Sequence, residues 1–106
     1  MMALDDRQKA FEAKFQQDEE IQFKVTARRN KLLGLWAADK LGMSGDDAEV
    51  YAKEVVASDF DESGDDDVLR KVLGDLQGKG LDISQKTVRH EMDALMGEAK
   101  HQLLAE

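Results

Sequence analysis

No cysteine occurs among the 106 residues, which excludes disulfides, thiol chemistry and thiolate metal sites together. Proline is absent too, so no ring clash interrupts a helix anywhere in the chain. No apolar run approaches the ~20 residues needed to span a bilayer. The opening Met1, Met2, Ala3, Leu4, Asp5 and Asp6 is neither the basic start nor the apolar stretch of a secretory signal. These absences predict a soluble cytoplasmic protein, without direct membrane insertion, that is free to dock on membrane machinery. Cations in excess are also lacking: the formal net charge of -8 argues against a nucleic-acid binder, which needs a basic face.

What is present suffices for one modest core. A chain of this size is one domain and buries roughly 60–65% of its unfolded surface. The hydrophobic fraction of 42% is enough for a globular interior. Charge is distributed unevenly. Residues 1–41 hold 8 Lys/Arg against 7 Asp/Glu, whereas residues 42–106 hold 7 against 16. The acidic character belongs to the second part alone.

Four helical segments are readable, separated by glycine-marked turns. Ser44 is placed to cap one, with Asp46 and Asp47 in its first turn. Ala48, Tyr51, Ala52, Val55, Val56 and Phe60 follow at helical spacing. Gly64 ends that segment, and Asp65, Asp66 and Asp67 open the next, whose stripe is Val68, Leu69, Val72, Leu73 and Leu76. Gly78 and Gly80 stop it. Ser84 caps the last helix, and Ile83 and Val88 have hydrophobic-staple spacing around it. Met92, Leu95, Met96, Ala99 and Leu103 continue that stripe.

The first segment is the longest, with a helical pattern from about residue 6 to 41. Its second half carries Ile21, Val25, Leu32, Leu33, Leu35 and Trp36, enough to pack on the other three helices. Its first part offers only Leu4, Phe11 and Phe15 as large apolar residues, too few to hold a short helix against chain entropy. The fold class that follows is all-α: a four-helix bundle with a long first helix and a mobile N-terminal arm. The arm spans residues 1–20, partly disordered or loosely docked, and the four-helix domain spans residues 21–104.

The arm has chemistry of its own. Leu4, Phe11 and Phe15 fall on one face, with Asp5, Asp6, Arg7, Lys9, Ala10, Glu12 and Lys14 around them. Two readings stand on the residues alone. The arm packs back on the bundle, or it is an amphipathic helix entering a groove on a partner with Phe11 and Phe15 as anchors. Lys24, Arg28, Arg29 and Lys31 follow as a basic cluster. A solvated face accounts for such clusters in most helices; contact with nucleotide phosphate or an acidic partner is the functional alternative. Arg28 and Arg29 point about 100° apart, so one lies against the core while the other faces out. Nothing resembles a glycine-rich phosphate loop.

Residues 59–67 alternate Asp59, Asp61 and Ser63, with Gly64 at the sixth place of a calcium loop. The bidentate Glu needed at the twelfth place is Arg70, and the apolar eighth position is Asp66. An acidic helix start on a solvated turn is the better reading. His90 and His101 lie about three turns apart on one helix and cannot share a metal ion. No nucleophile, paired-carboxylate or metal-ligand pattern stands out, so neither an enzyme nor a metal site is expected.

Several runs resemble a known family. Asp6-Arg7, Lys9-Ala10-Phe11-Glu12, Lys14-Phe15, Phe23-Lys24 and, above all, Ala27-Arg28-Arg29-Asn30-Lys31-Leu32-Leu33-Gly34-Leu35-Trp36-Ala37-Ala38 are similar to the zeta subunit of alpha-proteobacterial F-type ATP synthases. Tyr51-Ala52-Lys53-Glu54-Val55-Val56, Asp59-Phe60, Gly64-Asp65, Asp67-Val68 and Arg70-Lys71-Val72 agree with it. The last thirty or so residues match mainly in helical pattern. The resemblance implies a four-helix regulator, not an enzyme, whose N-terminal segment blocks ATP hydrolysis at an interface between catalytic subunits, near the central rotor. The partner implied is the catalytic sector of the ATP synthase, reached from the cytoplasmic face of the membrane. Carried onto this chain, residues 1–17 would be the inhibitory segment. Side-chain chemistry gives Phe11 and Phe15 apolar pockets, and pairs Arg7, Lys9 and Lys14 with acidic groups. No cofactor is expected beyond weak nucleotide binding, and the free chain is expected to be a monomer. The competing readings are a nucleotide-sensing module built on Arg28, Arg29 and Lys31, and a calcium-responsive helix-loop-helix protein.

Overall fold

The structure is a computed structural model, and it describes residues 19–59 and 64–106. Among the described residues there are four helices: α1 (Glu19–Lys40), α2 (Gly45–Ser58), α3 (Asp66–Gly78) and α4 (Gln85–Ala105). Phe60, Asp61, Ser63 and the arm residues considered above lie outside the described residues.

The helix ends follow local chemistry. Ser84 caps α4 as predicted, its Oγ accepting from Thr87 N at 3.2 Å; Ile83 and Val88 both pack in the core, as a staple requires. The C-termini of α1 and α3 share one device. After α1, Met43 N donates to Ala38 O at 2.9 Å and Gly42 N to Asp39 O at 3.1 Å. After α3, Leu81 N donates to Leu76 O and Gly80 N to Gln77 O. Gly42 and Gly80 have φ of 83° and 91°, the left-handed conformation this double closure needs and glycine adopts freely. Ser44 and Asp65 sit at N-cap positions but form no side-chain cap bond. For Asp65 the reason is plain: its carboxylate is taken by arginines from other helices.

α1 is the spine, packing against each of α2, α3 and α4. Its buried stripe is Val25, Arg29, Asn30, Leu33, Gly34, Ala37 and Ala38. The residues predicted to pack are all buried or partly buried, and Ile21, Leu32 and Trp36 lie against the core clusters, but these larger side chains do not hold the central contact. Small residues take the central contact instead, because α1 and α2 approach closely there. A Cβ placed on Gly34 would meet the Cα of Ala52 at 2.6 Å. The larger side chains flank this seam. The main core joins Leu33 and Tyr51 with Val55, Val68, Leu69, Val72, Leu76, Val88 and Met92. A smaller cluster around Val25 and Ala99, with Ile21, Leu32, Met96 and Leu103, ties the start of α1 to the end of α4. The stripes predicted for α2, α3 and α4 hold at every described position, buried or partly buried.

Candidate functional site

On the face of α1 beside its core stripe, Ile21, Lys24, Arg28 and Lys31 recur at three- and four-residue spacing. Together with Phe23, Ala27, Val56, Leu103 and Glu106 they line an open hollow of about 620 Å³. Lys31 and Val56 also line an adjoining hollow of about 210 Å³ with Glu49, Ala52 and Lys53. The floor is aliphatic and the rim is charged. Phe23 stands on that rim, 59% exposed.

The basic residues of the cluster are not equivalent. Arg28 is held by the end of α4, donating from Nη1 to Gln102 Oε1 and from Nη2 to Glu106 Oε2, both at 2.9 Å. Lys24 lies 3.6 Å from Glu20 in an exposed pair one turn apart, worth little in water. Lys31 and Lys53 have no carboxylate within 4.0 Å among the described residues. Arg29 is the arginine that turns inward, only 3% exposed. It therefore lines neither hollow, and Lys24, Arg28 and Lys31 come together without it.

Arg29 organises a separate polar cluster. Its Nε donates to Asn30 Oδ1 at 2.7 Å, and its Nη1 lies 3.8 Å from Asp65. Arg89 on α4 reaches the same carboxylate at 2.8 Å and Asp66 at 3.1 Å. Asp65 thus joins α1 to α4 at the start of α3. Burial, ahead of the opposing pull of Asp65 and Asp59, makes the Arg29 guanidinium easier to deprotonate than usual. Burial likewise raises the Asp59 carboxyl above its ordinary value, against the favourable fields of Asn30 and Arg29. Asn30 Nδ2 completes no hydrogen bond of ordinary geometry, although its dipole favours the ionised Asp59.

The raised Asp59 carboxyl sets a pH dependence. An unfolded Asp titrates near ~3.9. The folded state holds that proton to higher pH, so this residue's contribution to stability falls as pH rises through the window above ~3.9. Asp59→Asn, which cannot ionise, should be more stable than the parent at pH 7. The gain should vanish in thermal melts near pH 3.5, roughly where the unfolded carboxyl is already protonated. Equal gains at both pH values would refute the assignment.

Among the described residues no group of His, Asp and Glu is placed to hold a metal ion, and His90 and His101 are both exposed on α4. No helix of the described residues is long and apolar enough to cross a membrane. Lys53, Val56 and Leu103 extend the site beyond the predicted cluster. No local signal marked them, because the hollow forms only where α2 and the end of α4 meet α1.

The family model for ATPase inhibitor subunit zeta matches residues 1–102. The chain belongs to that family. A structure solved by solution NMR is 55% identical and superposes with a TM-score of 0.72, covering 80% of this chain and 96% of its own. Comparison with curated proteins gives no match. As a member of the zeta family the chain is an inhibitory regulator of the ATP synthase rather than an enzyme, and the ATP synthase is its partner. The chain's described part is the four helices, packed around α1.

Proposed function

We propose that residues 1–17 are the inhibitory segment and that the four-helix body anchors them. The segment inserts at an interface between catalytic subunits, with Leu4, Phe11 and Phe15 filling apolar pockets. Arg7, Lys9 and Lys14 pair with acidic groups there, and Asp5, Asp6 and Glu12 with basic ones, while Ala10 allows close approach. A wedge engaged by one sense of rotation impedes hydrolysis more than synthesis. The observation carrying this reading is that the family match begins at residue 1, so it includes the amphipathic stretch. The described helices hold a core of their own, from Ile21 to Leu103, which suits a body that carries the segment. The inhibitor acts as a monomer on the cytoplasmic face of the membrane. Ordering the segment on binding lowers affinity per contact and keeps inhibition reversible.

The test compares the full chain with a deletion of residues 1–17 in an ATPase assay on the cognate enzyme. Full-length protein should inhibit and the truncated form should not; equal inhibition by both would sink the proposal. Phe11→Ala with Phe15→Ala should lower potency at least tenfold, with far-UV circular dichroism unchanged.

A nucleotide-sensing role has one observation in its favour. The larger hollow falls within the size range of small-ligand sites, with Lys24, Arg28 and Lys31 over an apolar floor. ATP titration followed by NMR should then shift resonances around those residues; shifts scattered elsewhere would dismiss it.

A further inference from the structure

We infer that the two adjoining hollows form a docking groove for an acidic amphipathic helix of the ATP synthase, holding the four-helix body in place while the N-terminal segment acts. The inference builds on the proposed division between segment and body, and it assigns the anchoring to a surface.

The groove combines an apolar floor with unsatisfied charge. Ile21, Ala27 and Leu103 floor one end, Ala52 the other, and Val56 the junction. At that junction stands Lys31, with Lys53 beside it, neither paired within 4.0 Å among the described residues. They share the rim with Glu49 and with Glu106, the latter already held by Arg28. A helix laying its apolar stripe on the floor, with carboxylates flanking that stripe, satisfies both lysines at once. Charge complementarity of this kind speeds encounter and fixes register.

Two other occupants fit less well. Residues 1–17 hold three basic and three acidic side chains, so the chain's own start offers no net negative charge to the two lysines. A second copy would present the same basic face unless it turned its acidic helices inward.

The experiment uses the full chain and the purified catalytic sector of the cognate enzyme, without added nucleotide, and measures Kd at low and high salt. Four proteins are compared: the parent, Lys31→Glu with Lys53→Glu, Phe11→Ala with Phe15→Ala, and all four changes together. Docking in the groove predicts that the lysine reversals weaken binding at least tenfold at about 50 mM salt. The loss should shrink as salt rises, and the two pairs should act multiplicatively in the fourth protein. Both lysines are exposed, so the reversals should leave the helices intact, and Lys→Gln at both positions gives a milder variant in support. Unchanged binding would reduce the groove to a solvated face. Tighter binding would mean that residues 1–17 occupy it in the free chain, and altered sedimentation of the free chain alone would assign it to a second copy; each of these overturns the inference. Loss with the lysine pair but not the phenylalanine pair would leave the groove standing and remove the inhibitory-segment reading instead.

Discussion

Gly34→Ala should lower the thermal midpoint by about 8–16 °C, as measured by circular dichroism. The added Cβ would lie 2.6 Å from the Cα of Ala52 and 3.1 Å from its Cβ. The nearer atom is backbone and cannot rotate away, so α1 and α2 must separate along their seam. Overpacking of this kind costs roughly 1–3 kcal/mol, here at the upper end, and the better helix propensity of alanine returns about 1 kcal/mol. The net loss of about 2 kcal/mol corresponds to the stated shift for a domain of this size. Removing the opposing methyl should rescue only part of it, because Ala52→Gly leaves the nearer backbone clash in place. Gly74→Ala is the control. Gly74 is exposed in α3 with nothing within 4 Å of an added Cβ, so the same change should stabilise by about 0.5–1 kcal/mol. If Gly34→Ala also stabilised, the close approach of α1 and α2 would be disproved.

Arg29→Met should cost about 3 kcal/mol in urea unfolding. Methionine fills much of the volume of the arginine stem, so the loss reports polar contacts rather than a cavity. Asn30 Oδ1 loses the Nε donor at 2.7 Å, and a buried acceptor left unpaired costs about 1–3 kcal/mol. Asp59 and Asp65 lose a cation, although Asp65 keeps Arg89, which limits the damage below the roughly 3–5 kcal/mol of a fully broken buried pair. Arg29→Lys should rescue little, since an ammonium has no side-directed Nε–H to offer Asn30. Arg29→Met with Asn30→Leu should be less destabilising than the sum of the two single changes, because removing both partners leaves neither orphaned. Strict additivity in that cycle would show that the Arg29–Asn30 bond carries no stability.

The amphipathic helices were legible because their local and global signals agree. In α3 and α4 the apolar residues sit on one face, glycine stands where a left-handed closure is needed, and Ser84 precedes an apolar run. α1 was only half legible. Its place and C-terminal end were clear, and one inward arginine of the Arg28–Arg29 pair was expected, but not which one, nor that Asn30 would be buried beside it. A rule that sends charge outward and bulk inward misassigns such a helix. Gly34 was equally silent: in the sequence it is a weak helix former, and only the position of Ala52 shows why a side chain is excluded. The candidate site divided the same way. Pattern brought Lys24, Arg28 and Lys31 together, whereas Lys53 came from a different helix and no spacing rule reaches it.

The position of α1 as the spine has a mechanical consequence. A pull on the chain before residue 19 reaches the body through α1, and its component along the helix axis acts on every contact of that helix. A pull in this direction slides α1 past three neighbours at once, loading the Gly34 seam, the Arg29–Asp65 tie and the Arg28 clamp in parallel. Peeling from a helix end would break such contacts in turn. Forced rupture is governed by the unfolding rate, and shear geometry keeps that rate low under load. In the proposed arrangement, the body would act as a stay that resists being drawn out by its own leading end.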